Sequence, residues 1–218
     1  MPRKLDVFDF DGTLFRSPED TEQNRKKYLL ATGIPWVIDK EASRELSKRL
    51  GQFVPMRRGW WGKGETLEPP LVPNPAPPEW FITSSVEALH KSKADPDTLT
   101  LIMTGRHAGI KGKVLRILDD GKLVKIEKKA SKNKDVFYEQ ADPDVTCIFM
   151  GENGPKPKGT KPGETLPWKV WILEQYMELY PEIETVEFWE DRDEHVESFK
   201  ELHGLLAKEV KVNHVVDS

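Results

Sequence analysis

Residues 5–15 read Leu-Asp-Val-Phe-Asp-Phe-Asp-Gly-Thr-Leu-Phe, and this run limits the fold more sharply than any other in the chain. Its apolar part is too short for a helix of its own and is rich in strand formers, which predicts a buried strand. Alternation along such a strand puts Asp9 and Asp11 on one side. Gly12 then permits a sharp turn that a Cβ would resist, and Thr13 follows at once. Two carboxylates beside free backbone N–H groups suit a hard divalent cation and a phosphoryl group. The plain alternative is a strand ending in an Asp-Gly turn. That alternative leaves two acids in an apolar run without partners, which is costly, and later stretches supply the partners.

Taken in order, residues 20–31 read as a charged helix, with a start signal at Ser17-Pro18-Glu19-Asp20. Residues 40–50 read as a second helix, with Ala42, Leu46 and Leu50 at four-residue spacing. Gly59-Trp60-Trp61-Gly62 and a run with prolines at 69, 70, 73, 75, 77 and 78 follow. Those prolines forbid a regular helix or a central strand, so this is a surface loop. Trp60, Trp61 and Trp80 either anchor the loop to the body or wall the site mouth and stack on a base or ring.

Beyond Trp80 the pattern alternates. Ile82, Val86 and Leu89 mark a helix, residues 98–103 a strand, and Ile110, Val114, Ile117 and Leu118 a helix stripe. The strand runs into Thr104-Gly105-Arg106, a hydroxyl and a glycine before a helix, which is how a phosphate-binding turn is made. A threonine capping a helix looks the same. Arg106 either reaches a substrate phosphate or pairs with a surface acid. Asp119-Asp120-Gly121 reads as a turn. Residues 122–134 carry six lysines, either a nucleic-acid groove or a solvated face interleaved with Glu127 and Asp135. Residues 145–150 form a third strand, and 151–163 a Gly/Pro/Lys loop.

Pro167-Trp168-Lys169 opens the next helix, striped by Val170, Leu173, Met177 and Tyr180. A cation in a helix's first turn is mildly unfavourable unless it faces acids or phosphate. Lys158 and Lys161 compete with Lys169 for that role. Residues 185–189 form a fourth strand ending in Glu190-Asp191-Arg192-Asp193-Glu194-His195, before a helix of Val196, Phe199 and Leu202. Helix-dipole preference accounts for Asp193 and Glu194 but not for Glu190 at the end of an apolar strand. A last strand covers residues 211–216. Alternating strands and helices predict an α/β fold, a parallel sheet with helices on both faces and ligands at the strands' carboxyl ends.

Asp9-x-Asp11-x-Thr13, Thr104, Lys169 and Glu190-Asp191 in this order resemble the four motifs of the haloacid dehalogenase-like (HAD) superfamily. Gly59-Trp60-Trp61-Gly62, Thr165 with Trp168-Lys169, and Glu190-Asp191-Arg192 with His195 and Phe199 resemble more narrowly the HAD domain of Swiss Army knife RNA-repair proteins. The resemblance implies a three-layer Rossmann-like core, with residues 17–80 as a helical, proline-rich insertion or small cap within a single domain. Residues 20–54 are longer than the family pattern leads one to expect, which favours a cap. It also implies a Mg²⁺-dependent phosphomonoesterase. Asp9 is the nucleophile, Asp11 the general acid/base, Thr104 a phosphate ligand and Lys169 the balancing charge. Asp9, Asp11 and Asp191 hold the metal, with Glu190 in support. Gly12, Thr13, Gly105, Arg106, Arg192, His195, Trp60 and Trp61 are the expected substrate contacts. RNA or DNA phosphate ends are the expected substrates. A free-nucleotide or small-metabolite phosphatase is one alternative, and a non-catalytic nucleic-acid-binding module another.

Composition narrows the setting. At 218 residues the chain has room for one α/β domain and a modest insertion. Its net charge of -4 does not announce a nucleic-acid binder. The single cysteine, Cys147, excludes an internal disulfide and sits in an apolar run, where packing is its expected role. No apolar run reaches membrane-spanning length, and acids interrupt the first one, which argues against a signal peptide. The expected compartment is the cytoplasm, or the nucleus as well in a eukaryote. No Walker-type Gly-x-x-x-x-Gly-Lys-Ser/Thr is found, which argues against a kinase.

Overall fold

A computed structural model describes residues 1–130, 136–152, 164–206 and 208–216. The chain divides into two compact units, residues 17–77 and residues 1–16 with 78–218.

The larger unit is built on strands β1 (Lys4–Phe8), β2 (Thr98–His107), β5 (Thr146–Met150), β6 (Thr185–Glu190) and β7 (Glu209–His214). They form one parallel sheet in the order β5-β2-β1-β6-β7. Alternation along β1 and β6 assigns the two faces. Leu5, Val7, Leu101, Met103, Val186 and Phe188 join one core with Trp168, Ile172 and Leu173 of α5 (Leu166–Leu179) and Phe199 and Leu202 of α6 (Asp193–Leu206). On the other face α3 (Thr83–Ala94) lies over β2 and β1, and its Ser92 hydroxyl bonds that of Thr100 at 2.7 Å. The fold is thus α/β with helices on both faces of a parallel sheet, as the alternating pattern predicts. Strand order reverses direction at β1, which places the ligand-binding crevice of such a sheet at the carboxyl ends of β1 and its neighbours.

Several boundaries differ from the sequence reading. β1 ends at Phe8, so Asp9 and Asp11 stand beyond the strand rather than on it. β2 continues through Thr104 and Arg106 to His107, with a shift of register against β5, and α4 (Lys111–Asp120) begins four residues later. Helix α4 also absorbs Asp119 and Asp120, leaving Gly121 after its end. The last strand starts two residues earlier than expected. The lysine-rich segment contains β3 (Ile126–Ala130), which pairs antiparallel with β4 (Val136–Gln140) in a separate two-stranded sheet. There Lys129 pairs with Glu139, as on a solvated face. Lys132 and Lys134, and the competing Lys158 and Lys161 with the rest of 153–163, lie outside the described residues.

The smaller unit holds α1 (Glu22–Thr32), capped by Thr21, and α2 (Lys40–Leu50), capped by Asp39. Tyr28, Trp36, Trp60 and Leu71 form its core, and the Trp60 Nε1 donates to the Pro18 carbonyl at 2.7 Å. Trp60 therefore anchors its own unit. Trp61 is 44% exposed. Trp80 belongs to the larger unit and stacks on Phe15, with centroids 5.6 Å apart. Among the described residues, no helix is long and apolar enough to cross a membrane.

Candidate active site

The parity of two strands brings the first acids together. Leu5 and Val7 face α5, and Asp9 is next in that phase; Val186 and Phe188 face it from β6, and Glu190 is next in theirs. Phe8 pairs with Trp189, so Asp9 and Glu190 emerge level with one another. The Asp9 N–H extends the ladder by donating to the Trp189 carbonyl at 3.0 Å. Each series is apolar, apolar, acid, and both acids are buried.

The cation that faces them comes from α5. Lys169, 2% exposed, donates from Nζ to Asp9 Oδ1 at 2.8 Å and to Glu190 Oε2 at 2.7 Å. Burial works against the Lys169 charge, but Asp9 and Glu190 outweigh it and raise its pKa. Burial likewise opposes the charge on Glu190. Lys169, the His195 hydrogen bond and Arg192 overcome it and hold the carboxyl below its usual range.

Asp191 completes the acidic group. One carboxylate oxygen each from Asp9, Glu190 and Asp191 lies within 4.8 Å of the others. Burial pushes Asp9 up to about 6, with Glu190 and Asp11 adding to the effect against Lys169. Burial, then Asp9 and Glu190, pushes Asp191 up to about 7. Asp191 Oδ1 is buried without a hydrogen-bond partner. A buried lone oxygen facing repelling carboxylates is a donor set that a divalent cation fits. The turn makes room for it. Gly12 has φ +69°, and a Cβ there would stand 2.1 Å from Asp191 Oδ2, so only glycine lets the two loops close.

Asp11 has a different partner. Arg106, 1% exposed, donates from Nε and Nη2 to its carboxylate at 2.7–3.1 Å. Of the two roles left open for Arg106, the structure shows pairing with an acid, but with one of the site and not of the surface. The Thr104 hydroxyl accepts from the Arg106 N–H at 3.1 Å and does not cap a helix. Thr13 is fully buried, and its hydroxyl lacks a hydrogen-bond partner.

His195, expected as a substrate contact, points inward. It is 6% exposed, with Nδ1 3.1 Å from Glu190 Oε2 and Nε2 3.4 Å from Thr165 Oγ1. Arg192 is tied through Nε to Glu190 Oε1 at 3.4 Å, yet its side chain is 45% exposed. Gly105 lies under Thr165, whose Cγ2 would stand 2.4 Å from a Cβ there. Sequence reasoning gave Thr165 no role in the site, although it is the residue before the helix that carries Lys169. Burial pushes the Cys147 thiol up to about 12, which disfavours the thiolate. Trp60 and Trp61 belong to the smaller unit.

A family model described as HAD domain family 1 in Swiss Army Knife RNA repair proteins matches residues 43–217. The match takes in Thr104, Lys169, Glu190, Asp191 and His195 and begins after Asp9 and Asp11. The uncharacterized Saccharomyces cerevisiae protein YMR265C is 23% identical over 212 residues, which cover 95% of this chain and 39% of that one. The chain thus spans about two fifths of that relative's length. No solved structure matches it.

Proposed function

The chain belongs to the HAD domain family of Swiss Army Knife RNA repair proteins, and from that premise we propose that it is a metal-dependent phosphomonoesterase working through an aspartyl-phosphate. The observation that carries this reading is the placement of Lys169 between Asp9 and Glu190, with Asp191 completing a carboxylate triad within 4.8 Å.

Charge accounts for the arrangement. Asp9, Asp11, Glu190 and Asp191 oppose Lys169, Arg106 and Arg192, four acids against three cations. One divalent cation makes the balance positive, which favours entry of a phosphate dianion. Asp9 and Asp191, with the Asp11 carbonyl, would hold Mg²⁺, a hard ion that takes few carboxylates and keeps several waters. When bound, it supplies charge neutralisation for the phosphoryl oxygens.

The residues do the rest. Lys169 holds Asp9 Oδ1, and the other oxygen attacks phosphorus as the bond to the leaving oxygen breaks. Lys169 offsets the repulsion between carboxylate and phosphate. Asp11, aimed by Arg106, gives a proton to the leaving oxygen. It then takes one from the water that frees Asp9, and inorganic phosphate is released. Thr104 and the backbone after Asp11 orient the phosphoryl oxygens.

RNA or DNA phosphate ends are the proposed substrates. The family's description supports this, and so does Arg192, a half-exposed guanidinium held beside the triad. Residues 17–80 are the proposed insertion or small cap of this domain. The test has two stages. Hydrolysis of p-nitrophenyl phosphate with Mg²⁺ is expected from the parent and lost in Asp9→Asn; equal turnover by both sinks the mechanism. Oligonucleotides phosphorylated at the 3′ or 5′ end are then compared with mononucleotides. A polynucleotide substrate loses affinity steeply with added salt, and a small metabolite does not.

A further inference from the structure

The reaction proposed above leaves His195 without a part, yet the structure places it at a junction. Four contacts form a closed ring. Lys169 Nζ donates to Glu190 Oε2 at 2.7 Å. The same oxygen lies 3.1 Å from His195 Nδ1. His195 Nε2 lies 3.4 Å from Thr165 Oγ1. The Lys169 N–H closes the ring on the Thr165 carbonyl at 2.9 Å. We propose that His195 is a positioning residue that fixes the first turn of α5, and so sets where Lys169 meets Asp9. The inference rests on the phosphomonoesterase reading.

Three observations carry it. First, Thr165 stands at the N-cap of α5, where a threonine hydroxyl ordinarily accepts from the helix's own N–H groups. Here its side chain makes no cap hydrogen bond, and it faces His195 instead. Second, both ring nitrogens are engaged internally in a side chain that is 6% exposed. An ionised Glu190 can only accept, so Nδ1 donates to it, and Nε2 pairs with the Thr165 hydroxyl. Third, the Thr165 methyl covers Gly105 so closely that a Cβ there would stand 2.4 Å away. Gly105 joins Thr104 to Arg106, the residue that holds Asp11.

His195 therefore ties the tip of β6 to the start of α5, and through Thr165 to Gly105 of β2. A shift of the α5 start moves Lys169 relative to Asp9. Displacements of about 1 Å in a positioned group cost on the order of 100-fold in rate. Lys169 offsets the repulsion between the Asp9 carboxylate and the phosphoryl group, which is greatest as the two close on each other, so the loss falls on kcat rather than KM.

The test is steady-state hydrolysis of p-nitrophenyl phosphate with Mg²⁺ by the full chain. His195→Leu is expected to lower kcat by about 100-fold with KM changed less than about 3-fold. His195→Asn, whose amide replaces Nδ1, and His195→Gln, whose amide replaces Nε2, each restore part of that loss. Thr165→Val lowers kcat, and the pair His195→Leu/Thr165→Val is no slower than His195→Leu alone, because the two act as one unit. A parental kcat in His195→Leu, or losses that multiply independently in the pair, overturns the proposal. If His195→Leu does not fold, Thr165→Val and the Asn and Gln variants decide by the same kcat criterion. Asp9→Asn runs alongside: inactive Asp9→Asn with active His195→Leu sinks this inference alone, whereas active Asp9→Asn sinks the reading beneath it.

Discussion

Lys169 Nζ sits 2.8 Å from Asp9 Oδ1 although 160 positions separate them in the chain. Both are almost fully buried, and Glu190 shares the same ammonium. Removing one partner of a buried pair leaves an uncompensated charge, at a cost of about 3–5 kcal/mol. Lys169→Met leaves two facing acids, so urea unfolding is expected to show a loss in that range at neutral pH. Activity falls with it, and Lys169→Arg does not restore it, because a planar fork does not fit a site shaped for a point charge. A Lys169→Met protein as stable and as active as the parent contradicts the arrangement.

Gly12→Ala tests the closeness of the first and last motifs. The new methyl meets Asp191 Oδ2, and alanine must also adopt φ +69°. The strain costs about 1–3 kcal/mol, and Asp191 is pushed away from Asp9. The expected result is a lower melting temperature and loss of the stabilisation that Mg²⁺ gives the parent. Retention of the full Mg²⁺-dependent shift shows that the two loops do not share an ion.

How much of this was readable in the chain depends on what each residue answers to. The positions of Asp9 and Glu190 were legible because each ends an apolar run that cannot tolerate it alone, that of Lys169 because a cation in a helix's first turn calls for acids, and that of Asp191 only through the family resemblance. The sheet was legible because apolar runs alternated with helical stripes. The direction of His195 was not, since an exposed and an inward histidine occupy the same helix position. The partner of Arg106 was not, because it lies on a strand that the sequence ends too early at Met103. The β3–β4 pair escaped because its lysines read as charge rather than as the outer residues of strands. Long-range placement decided these cases, and local pattern does not encode it.

Protonation of the triad links stability to metal. Asp9 is raised to about 6 and Asp191 to about 7 in the folded chain, above the 3.8 of a free carboxyl. Between about pH 4 and 7 the native state therefore binds more protons than the unfolded state, and stability without metal falls as pH rises through that window. Glu190, held low, contributes the opposite way, and only as pH drops below the ordinary carboxylate range. A divalent cation competes with those protons, so Mg²⁺ is expected to raise the melting temperature more at pH 8 than at pH 5. Melting curves with EDTA and with Mg²⁺ at the two pH values measure this directly. An equal shift at both places the ion elsewhere.

Arg106→Lys separates orientation from charge at Asp11. The guanidinium grips both carboxylate oxygens through Nε and Nη2, whereas an ammonium on a flexible stem makes a single point contact. Asp11 is 21% exposed along its side chain and gains water when released, so the stability cost stays modest, about 1–2 kcal/mol. Its aim toward the leaving oxygen is lost. The expected outcome is a kcat about 10- to 100-fold lower, with the larger loss on alkyl phosphates, whose leaving oxygens need the proton, and the smaller on p-nitrophenyl phosphate. Equal losses on both substrates mean that Arg106 acts on the phosphoryl group itself and not through Asp11.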